Sequence, residues 1–333
     1  MKTLRFAVLA YGGCMPMQLF AIADVLRIAG DMDVNLGARR GIRIDVQLVG
    51  LPGHRLVVAG GVPLTLKRPV GRYDLLIVPG LGTPPQQDWP AKLAALSREV
   101  AFIRRSFARG TAVASVCLGA FLLGEAGLLD GRRVTTAWLF ADALASRYPA
   151  ARVSPEAMVV DDGAVITTGA VSSAFDLVLH LAKRHLGADV AAATAAVSLL
   201  ANQRESQSPY VDSHLRRREL PTFSQNLARW FEARLSQAYD LDTVARAFHV
   251  SGRTLMRRVK AETGRSPLTL LQEARIDRSK RLLHDTHWPI VRIVEAVGYS
   301  DVVSFARLFA RQVGESPAKF RQRRVELDPV GGD

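Results

Sequence analysis

Cys117 stands in the stretch SVCLGAFLLG, residues 115–124, directly after the small apolar run TAVA at 111–114. A β-prone run that passes into a helical one through small residues makes a sharp turn, and a cysteine there is presented like the nucleophile of an elbow. Two physical effects favour a reactive sulfur at this place. It lies at the carboxyl end of a strand, where open α/β sheets bind ligands. It also lies at a helix start, whose partial positive charge favours a thiolate. The plain alternative is a small buried residue at a tight turn. A working thiol needs a base within reach. His180 and His185, five residues apart on one helical stretch, and His54 are available, and each reads more simply as a surface or core histidine. Cys14, in the loop after the first strand, opens the alternative of a redox pair with Cys117, which depends on a sulfur separation that the sequence does not give.

A second group of residues points to different chemistry. Arg253, Met256, Arg257 and Lys260 share the outer face of one helical stretch, and Val302, Val303, Ala306 and Arg307 share that of another. Arginine bonds guanine bidentately, and valine or alanine methyls meet the thymine methyl. Arg311 belongs with Arg258, Arg321, Arg323 and Arg324, which are assigned to phosphate or solvent. The charge distribution agrees. The 333 residues carry a net +13, and residues 215–324 hold 22 Lys and Arg against 11 Asp and Glu. A basic segment of this size is the footprint of a nucleic-acid partner, or else a solvated arginine-rich surface.

The elements that must position these groups fall into two textures. Up to about residue 200, β-rich runs at Phe6–Tyr11, Ile44–Gly50, Tyr73–Pro79 and Thr111–Cys117 alternate with helical patterns at Met17–Ala29, Ala91–Ala108, Leu118–Ala126 and Phe140–Arg147. Such alternation predicts a parallel sheet covered by helices. Residues 159–168 predict a hairpin turning on Asp161-Asp162-Gly163, followed by helices over Ser172–His185 and Asp189–Ala201. The polar stretch 202–221 reads as a linker, and 222–325 as an all-helical domain. No apolar run reaches membrane-spanning length, and the N-terminus lacks a convincing signal-peptide cleavage site. Two cysteines cannot build a disulfide framework, so a cytoplasmic protein is expected.

The helical domain repeats itself. LDTVARAFHVSGRTLMRRVKAETGRSP, 241–267, is echoed by IVRIVEAVGYSDVVSFARLFARQVGESP, 290–317, with one extra residue placed near Val303. Each copy has a short apolar helix (Asp242–Phe248, Val291–Val297), a tight turn, a capping serine (Ser251, Ser300) and an amphipathic helix (Gly252–Glu262, Asp301–Gln312). That is the grammar of a helix-turn-helix, over 241–263 and 290–313, with Leu255, Val259, Phe305 and Phe309 facing inward. No grouping of residues with metal-ligand spacing stands out, and no cofactor is called for.

The closing motif GYSDVVSFARLFARQVGESPAKFR, with RSPLTLLQEARIDRSKRLLHDT at 265–286 as a linking helix, resembles the AraC/XylS family of transcription regulators. That resemblance implies two recognition helices entering successive major grooves of double-stranded DNA about one turn (~34 Å) apart. The pieces RFAVLAYGG, YDLLIVPGLG, ASVCLGAFLLGEAGLLDGRRVTTAW and ITTGAVSSAFDLVLHLAKRHLG, spread over 1–201, resemble the ThiJ/PfpI-type class I glutamine amidotransferase fold, a flavodoxin-like three-layer sandwich. Catalytic members of that family follow the elbow cysteine with a histidine and often use a carboxylate from the first loop. This chain has Ala137-Trp138 after Thr135-Thr136, and Gln18 at the carboxylate position. Neither Ala nor Gln takes a proton from a thiol.

The combination resembles the GlxA-type subfamily of AraC regulators. It implies a cytoplasmic, DNA-binding activator, no enzyme, with a ligand-sensing and dimerising first domain. Expected partners are a promoter operator, a small nitrogenous effector (an amino acid, a quaternary amine or a related compound), RNA polymerase and a second copy of the chain. The expected ligand pocket gathers Cys14, Gln18, Gly80, Gly82, Cys117, Leu118, Trp138 and Ala170. Its backbone N–H groups would hold an anion, and Trp138 would form a wall for a cationic headgroup. The alternatives are a cysteine hydrolase or amidase, or a thiol redox sensor, joined to a DNA-binding domain.

Overall fold

The computed structural model describes residues 2–37, 41–51, 56–82, 89–200, 204–211 and 222–327, with the backbone alone at 89, 90, 222 and 323–327. Calls on His54, on the side chains of Arg323 and Arg324, and on most of the linker lie outside the described residues. The chain divides into two compact units, Met1–Gln207 and Ser208–Asp333.

The first unit is built on one six-stranded sheet. Counting the strands of that sheet alone, they are β1 (Lys2–Ala10), β2 (Ile42–Gly50), β3 (Leu75–Val78), β4 (Ala112–Val116), β5 (Val159–Asp162) and β6 (Val165–Thr168). The order is β2-β1-β3-β4-β6-β5, and all neighbours are parallel except the β5–β6 hairpin. Parallel neighbours need crossovers, and helices supply them. α1 (Pro16–Asn35) joins β1 to β2, α2 (Ser97–Ala108) precedes β4, and α3 (Gly119–Glu125) follows it. α4 (Ala141–Arg147), α5 (Ser173–His185) and α6 (Ala188–Val197) complete the unit. β3 reads Leu-Leu-Ile-Val and is buried at all four positions. A strand covered on both faces has no polar side to alternate with.

The hairpin turns on Gly163-Ala164 rather than on the Asp pair. Val165 pairs with Asp162, so both aspartates belong to β5, and Gly163 takes the positive φ of 71° that the turn requires. The pattern over 91–108 breaks into Trp89–Ala94 and α2, and the last helix of the unit stops at Val197. The beginning of the linker also reads differently in three dimensions. Arg204 is paired with Asp176 through its guanidinium at 2.5 Å and its backbone N–H at 2.9 Å, and the backbone N–H of Gln207 donates to Glu156 O at 2.7 Å. Residues 204–207 are therefore bound into the first unit.

The second unit is helical throughout its described residues. α7 (Thr222–Glu232), α8 (Leu241–Ala247) and α9 (Gly252–Thr263) surround one core containing Leu227, Phe231, Val244, Leu255 and Val259. α11 (Ile290–Ala296), α12 (Val302–Val313) and α13 (Pro317–Leu327) surround another containing Ile293, Val294, Phe305, Phe309 and Val313. The long α10 (Pro267–Asp285) serves both, giving Leu270 and Leu271 to the first and Ile276, Leu282 and Leu283 to the second.

Candidate functional site

Cys117 is an elbow in the structure. It is a non-glycine residue with φ of 55°, between β4 and α3. A left-handed φ is strained for a residue with a Cβ, and it persists only where the surroundings over-determine it. Here they do. Cys117 N–H donates to Thr168 O at 3.2 Å, and Thr136 Oγ1 donates to Cys117 O at 2.8 Å. A Cβ at Gly119 would stand 2.4 Å from Val78 O and 2.7 Å from Pro79 O, so only glycine lets the helix start this close to β3.

The same packing buries the sulfur. Cys117 is 5% exposed, and burial pushes its thiol up to about 11, against a partial offset from the backbone N–H groups of Leu118 and Val171 that face it. The helix-start argument for a thiolate is therefore overturned: desolvation of the anion outweighs the N–H dipoles. Cys14 is also fully buried and pushed up to about 11 by burial, with Tyr11 N–H donating to its Sγ at 3.5 Å. Both are free thiols.

No imidazole or carboxylate is hydrogen-bonded to Cys117 among the described residues. His180 pairs with Asp161 at 2.8 Å, and His185 sits edge-on to Phe6 at 5.6 Å. Both lie on α5, whose Ser173 end bonds Thr168 beneath the elbow. At ~1.5 Å per residue they stand ~10 and ~18 Å up that helix. Ala137 and Trp138, which the family resemblance sets in place of the base, are buried.

Several pocket residues have other work. Gln18 is fully buried, its Oε1 accepting from Gly80 N–H at 2.6 Å and its Nε2 donating to Val171 O at 3.0 Å. It braces the loops at either side of the elbow. Gly82 N–H donates to Gly13 O at 2.8 Å, and Ala170 N–H to Gln207 Oε1 at 2.9 Å. The N–H groups of Gly80, Gly82 and Ala170 are thus committed inside the protein, which corrects their assignment as anion donors. Leu118 and Val171 remain the donors aimed at the elbow. Trp138 is 9% exposed and opens a 3₁₀ turn.

The second unit assembles the other set. The turn before each amphipathic helix has positive φ, His249 at 53° and Gly298 at 82°. Ser251 caps α9, accepting from Thr254 N–H at 3.2 Å. The cap of α12 is Asp301, not Ser300; its carboxylate accepts from Ser304 N–H at 2.8 Å and Val303 N–H at 3.2 Å. The turns are thus 49 residues apart and the caps 50, so the extra residue of the second copy is Ser300, ahead of the helix rather than near Val303. Both helices then end on a left-handed glycine, Gly264 and Gly314.

Leu255, Val259, Phe305 and Phe309 are buried. Arg253, Met256, Arg257 and Lys260 are exposed on α9, and Val303, Arg307 and Arg311 on α12, with Ala306 half-buried. Val303 is 57% and Met256 48% exposed, so each offers an apolar surface to solvent. Val302 differs from the expectation: it is half-buried and packs on the core. Among the described residues, none of Arg253, Arg257, Lys260, Arg307 and Arg311 has an ion pair. Arg258 is turned to its own domain, paired with Glu262 at 2.9 Å and stacked 4.0 Å over Phe223. Arg321 donates to Trp288 O at 2.7 Å. Both are thus held by their own domain in this arrangement.

Two residues that set the geometry escape sequence reading. Arg275, in the middle of α10, is 7% exposed and donates to Leu235 O at 2.9 Å and Gln237 O at 2.7 Å, with its guanidinium 5.0 Å from the Tyr299 ring. It ties the loop before the first helix-turn-helix to the turn of the second. A charge set between Ala274 and Ile276, inside an apolar stripe, is the signal that marks it. Gln207 has no such signal, since it sits in a polar, aperiodic stretch.

Comparison with known proteins gives these two arrangements a lineage. The profile of the DJ-1/PfpI family matches residues 8–184, and that of a helix-turn-helix domain matches residues 244–323. The HTH-type transcriptional regulator GbdR of Pseudomonas aeruginosa is 26% identical over 71% of this chain and 65% of its own length, so the match spans just under two thirds of that relative. The HTH-type transcriptional regulator GlxA of Rhizobium meliloti is 29% identical over 70% of this chain and 72% of its own. An isonitrile hydratase of Pseudomonas putida is 39% identical over a shorter segment, 27% of this chain and 38% of its own. With an elbow sheet first and a doubled helix-turn-helix after it, the chain belongs to the DJ-1/PfpI family, in the architecture of the GlxA-type AraC regulators.

Proposed function

We propose that the chain is a sequence-specific DNA-binding transcription regulator, an activator, whose first unit holds a small nitrogenous metabolite without converting it. The observation that carries this reading is the duplicated amphipathic helix. Two helices of matching length and caps expose uncommitted arginines beside apolar side chains. That is the surface needed to read guanine and thymine edges in a major groove. Arg253, Met256, Arg257 and Lys260 read one groove, and Val303, Ala306 and Arg307 read the next, with Arg311 on phosphate and Val302 supporting Val303 from the core side.

Cys117 marks the floor of the effector site, with Leu118 and Val171 N–H groups facing it and Trp138, Cys14 and the Gln18 brace around it. A thiol held at about 11, with Ala137 and Trp138 in place of a base, supports binding over turnover. The effector acts by favouring one arrangement of a homodimer over another, since a ligand indifferent to the two shifts nothing. The protein works in the cytoplasm and recruits RNA polymerase. No helix among the described residues is long and apolar enough to cross a membrane.

The test is selection of bound duplexes from a random-sequence pool by the full chain. Retained duplexes should share two half-sites about 10 base pairs apart. A retained pool without base preference would sink the reading. A thermal-shift screen of the full chain against nitrogenous metabolites then seeks the effector through mass action.

A further inference from the structure

Gln207 is the last residue of the first unit and is 1% exposed, although it lies in a polar stretch. Its carboxamide is held on both sides. Oε1 accepts from Ala170 N–H at 2.9 Å and from Trp138 N–H at 3.3 Å. Nε2 faces Thr136 O at 2.9 Å, Ala157 O at 3.0 Å, Pro155 O at 3.2 Å and Thr135 Oγ1 at 3.4 Å. Gly169 makes the room: a Cβ there would stand 2.3 Å from the Gln207 amide carbon, and its three nearest atoms would all be Gln207's.

Three chain segments thus build a cradle with two donors on one side and four acceptors on the other. The chemistry selects one functional group. A carboxylate would set negative charge against three carbonyls, and an ammonium cannot accept from the two N–H groups. A primary carboxamide satisfies both sides. The cradle also borders the elbow. Thr136, which accepts from Gln207, donates to Cys117 O, and Val171, next to Ala170, faces the Cys117 sulfur and accepts from Gln18.

We propose that this cradle is a primary-carboxamide site whose resident occupant is the chain's own Gln207, so that seating Gln207 holds the segment that enters the DNA-binding unit. The regulatory consequence rests on the regulator reading above; the carboxamide site does not. Thr136 and Ala170 are the points at which a change at the elbow reaches the latch, because each is bonded to Gln207, Thr136 also bonds Cys117 O, and Ala170 adjoins Val171, whose N–H faces the Cys117 sulfur.

The experiment uses the full chain, the variants Q207A, Q207E and G169A, and acetamide and acetate as probes. Hydrogen exchange of peptides covering 204–211 should speed up by about tenfold or more in Q207A, the loss of roughly one net hydrogen bond or more. Acetamide should raise the Q207A melting temperature saturably, acetate at matched ionic strength should not, and the wild type should respond to neither. Q207E keeps the volume and should exchange as fast as Q207A, so the test survives if Q207A folds poorly. G169A should release the segment alone, and G169A/Q207A should be no worse than Q207A, because the clash partner is gone. Exchange in Q207A and Q207E within about threefold of wild type, or equal responses of Q207A to acetamide and acetate, overturns the proposal. The random-duplex selection reports separately on the regulator reading. A wild type that selects sequence while its latch variants exchange normally loses only the carboxamide site.

Discussion

Replacing Arg275 by alanine should cost the second unit about 3–4 kcal/mol. The guanidinium makes two hydrogen bonds to backbone carbonyls, at 2.9 and 2.7 Å. Each charge-assisted bond contributes ~1.5–3 kcal/mol net, and stacking over Tyr299 at 5.0 Å adds ~0.5–1 kcal/mol. Water entering the vacated space recovers part of the sum. A single domain has ~5–15 kcal/mol in hand, so the variant still folds. The functional loss should be selective. Nη2 lies 2.8 Å from where a Gly298 Cβ would stand, and Leu235 O 2.3 Å from it, so this is where the two helix-turn-helix halves meet. Losing the tie frees one recognition helix from the other. Affinity for a single half-site should change little, while affinity for two half-sites should fall at least tenfold as the effective concentration of the second helix drops. Urea denaturation of the full chain gives the first number, and binding to one- and two-half-site duplexes gives the second. An Arg275→Ala protein within ~0.5 kcal/mol of wild type, with an unchanged preference for the double site, would refute the reasoning.

Alkylation of Cys117 by iodoacetamide at about pH 8 should be at least about tenfold slower in the folded chain than in urea, since the folded thiol is buried and held at about 11; equal rates by mass spectrometry would contradict its burial. The Ser304 hydroxyl and the backbone N–H groups of Ser304 and Val303 hold the Asp301 carboxyl below its usual range. A lowered folded value means that this cap stabilises fully above the unfolded carboxylate range and is lost as pH falls through the folded value. The acid-induced drop in melting temperature should therefore be smaller in Asp301→Asn than in wild type. Arg307→Ala should cost ~1–3 kcal/mol of DNA binding and relax preference at one base position, while Arg311→Ala, placed on phosphate, should lower the salt slope by ~0.9 with no change in preference; equilibrium binding across salt and single-base variants distinguishes them.

The regular parts of both units were legible because their signals are local. β3 is a continuous apolar run, and the 3.6-residue spacing of Leu255 and Val259, or Phe305 and Phe309, names the inward face of each recognition helix. What escaped depends on contacts far apart in the chain. Gln18 reads in the sequence as a ligand residue, whereas its two ends bridge Gly80 and Val171, 62 and 153 residues away. Gln207 looked like linker because its partners, at 135–138, 155–157 and 169–170, share no pattern with it. The capping error at Ser300 is different in kind. Serine and aspartate are equally good caps, and only the extra turn residue decides between adjacent candidates.

An elbow without a base needs its own explanation, because a cysteine with φ of 55° carries roughly 1–3 kcal/mol of strain that a plain turn avoids. The contacts around it supply that explanation. Thr168 and Thr136 hold its N–H and carbonyl, Gly119 lets α3 approach Val78 and Pro79, and a Cβ at Gly80 would lie 3.0 Å from the Cys117 Cβ. The strain thus belongs to the junction of β3, β4 and α3, and would remain whatever side chain stood at 117. Closure of that junction also buries the sulfur, and burial raises the thiol. Chemistry at Cys117 would require opening the packing that creates the elbow, since the N–H groups of Leu118 and Val171 already face the sulfur while Thr168 and Thr136 hold its backbone.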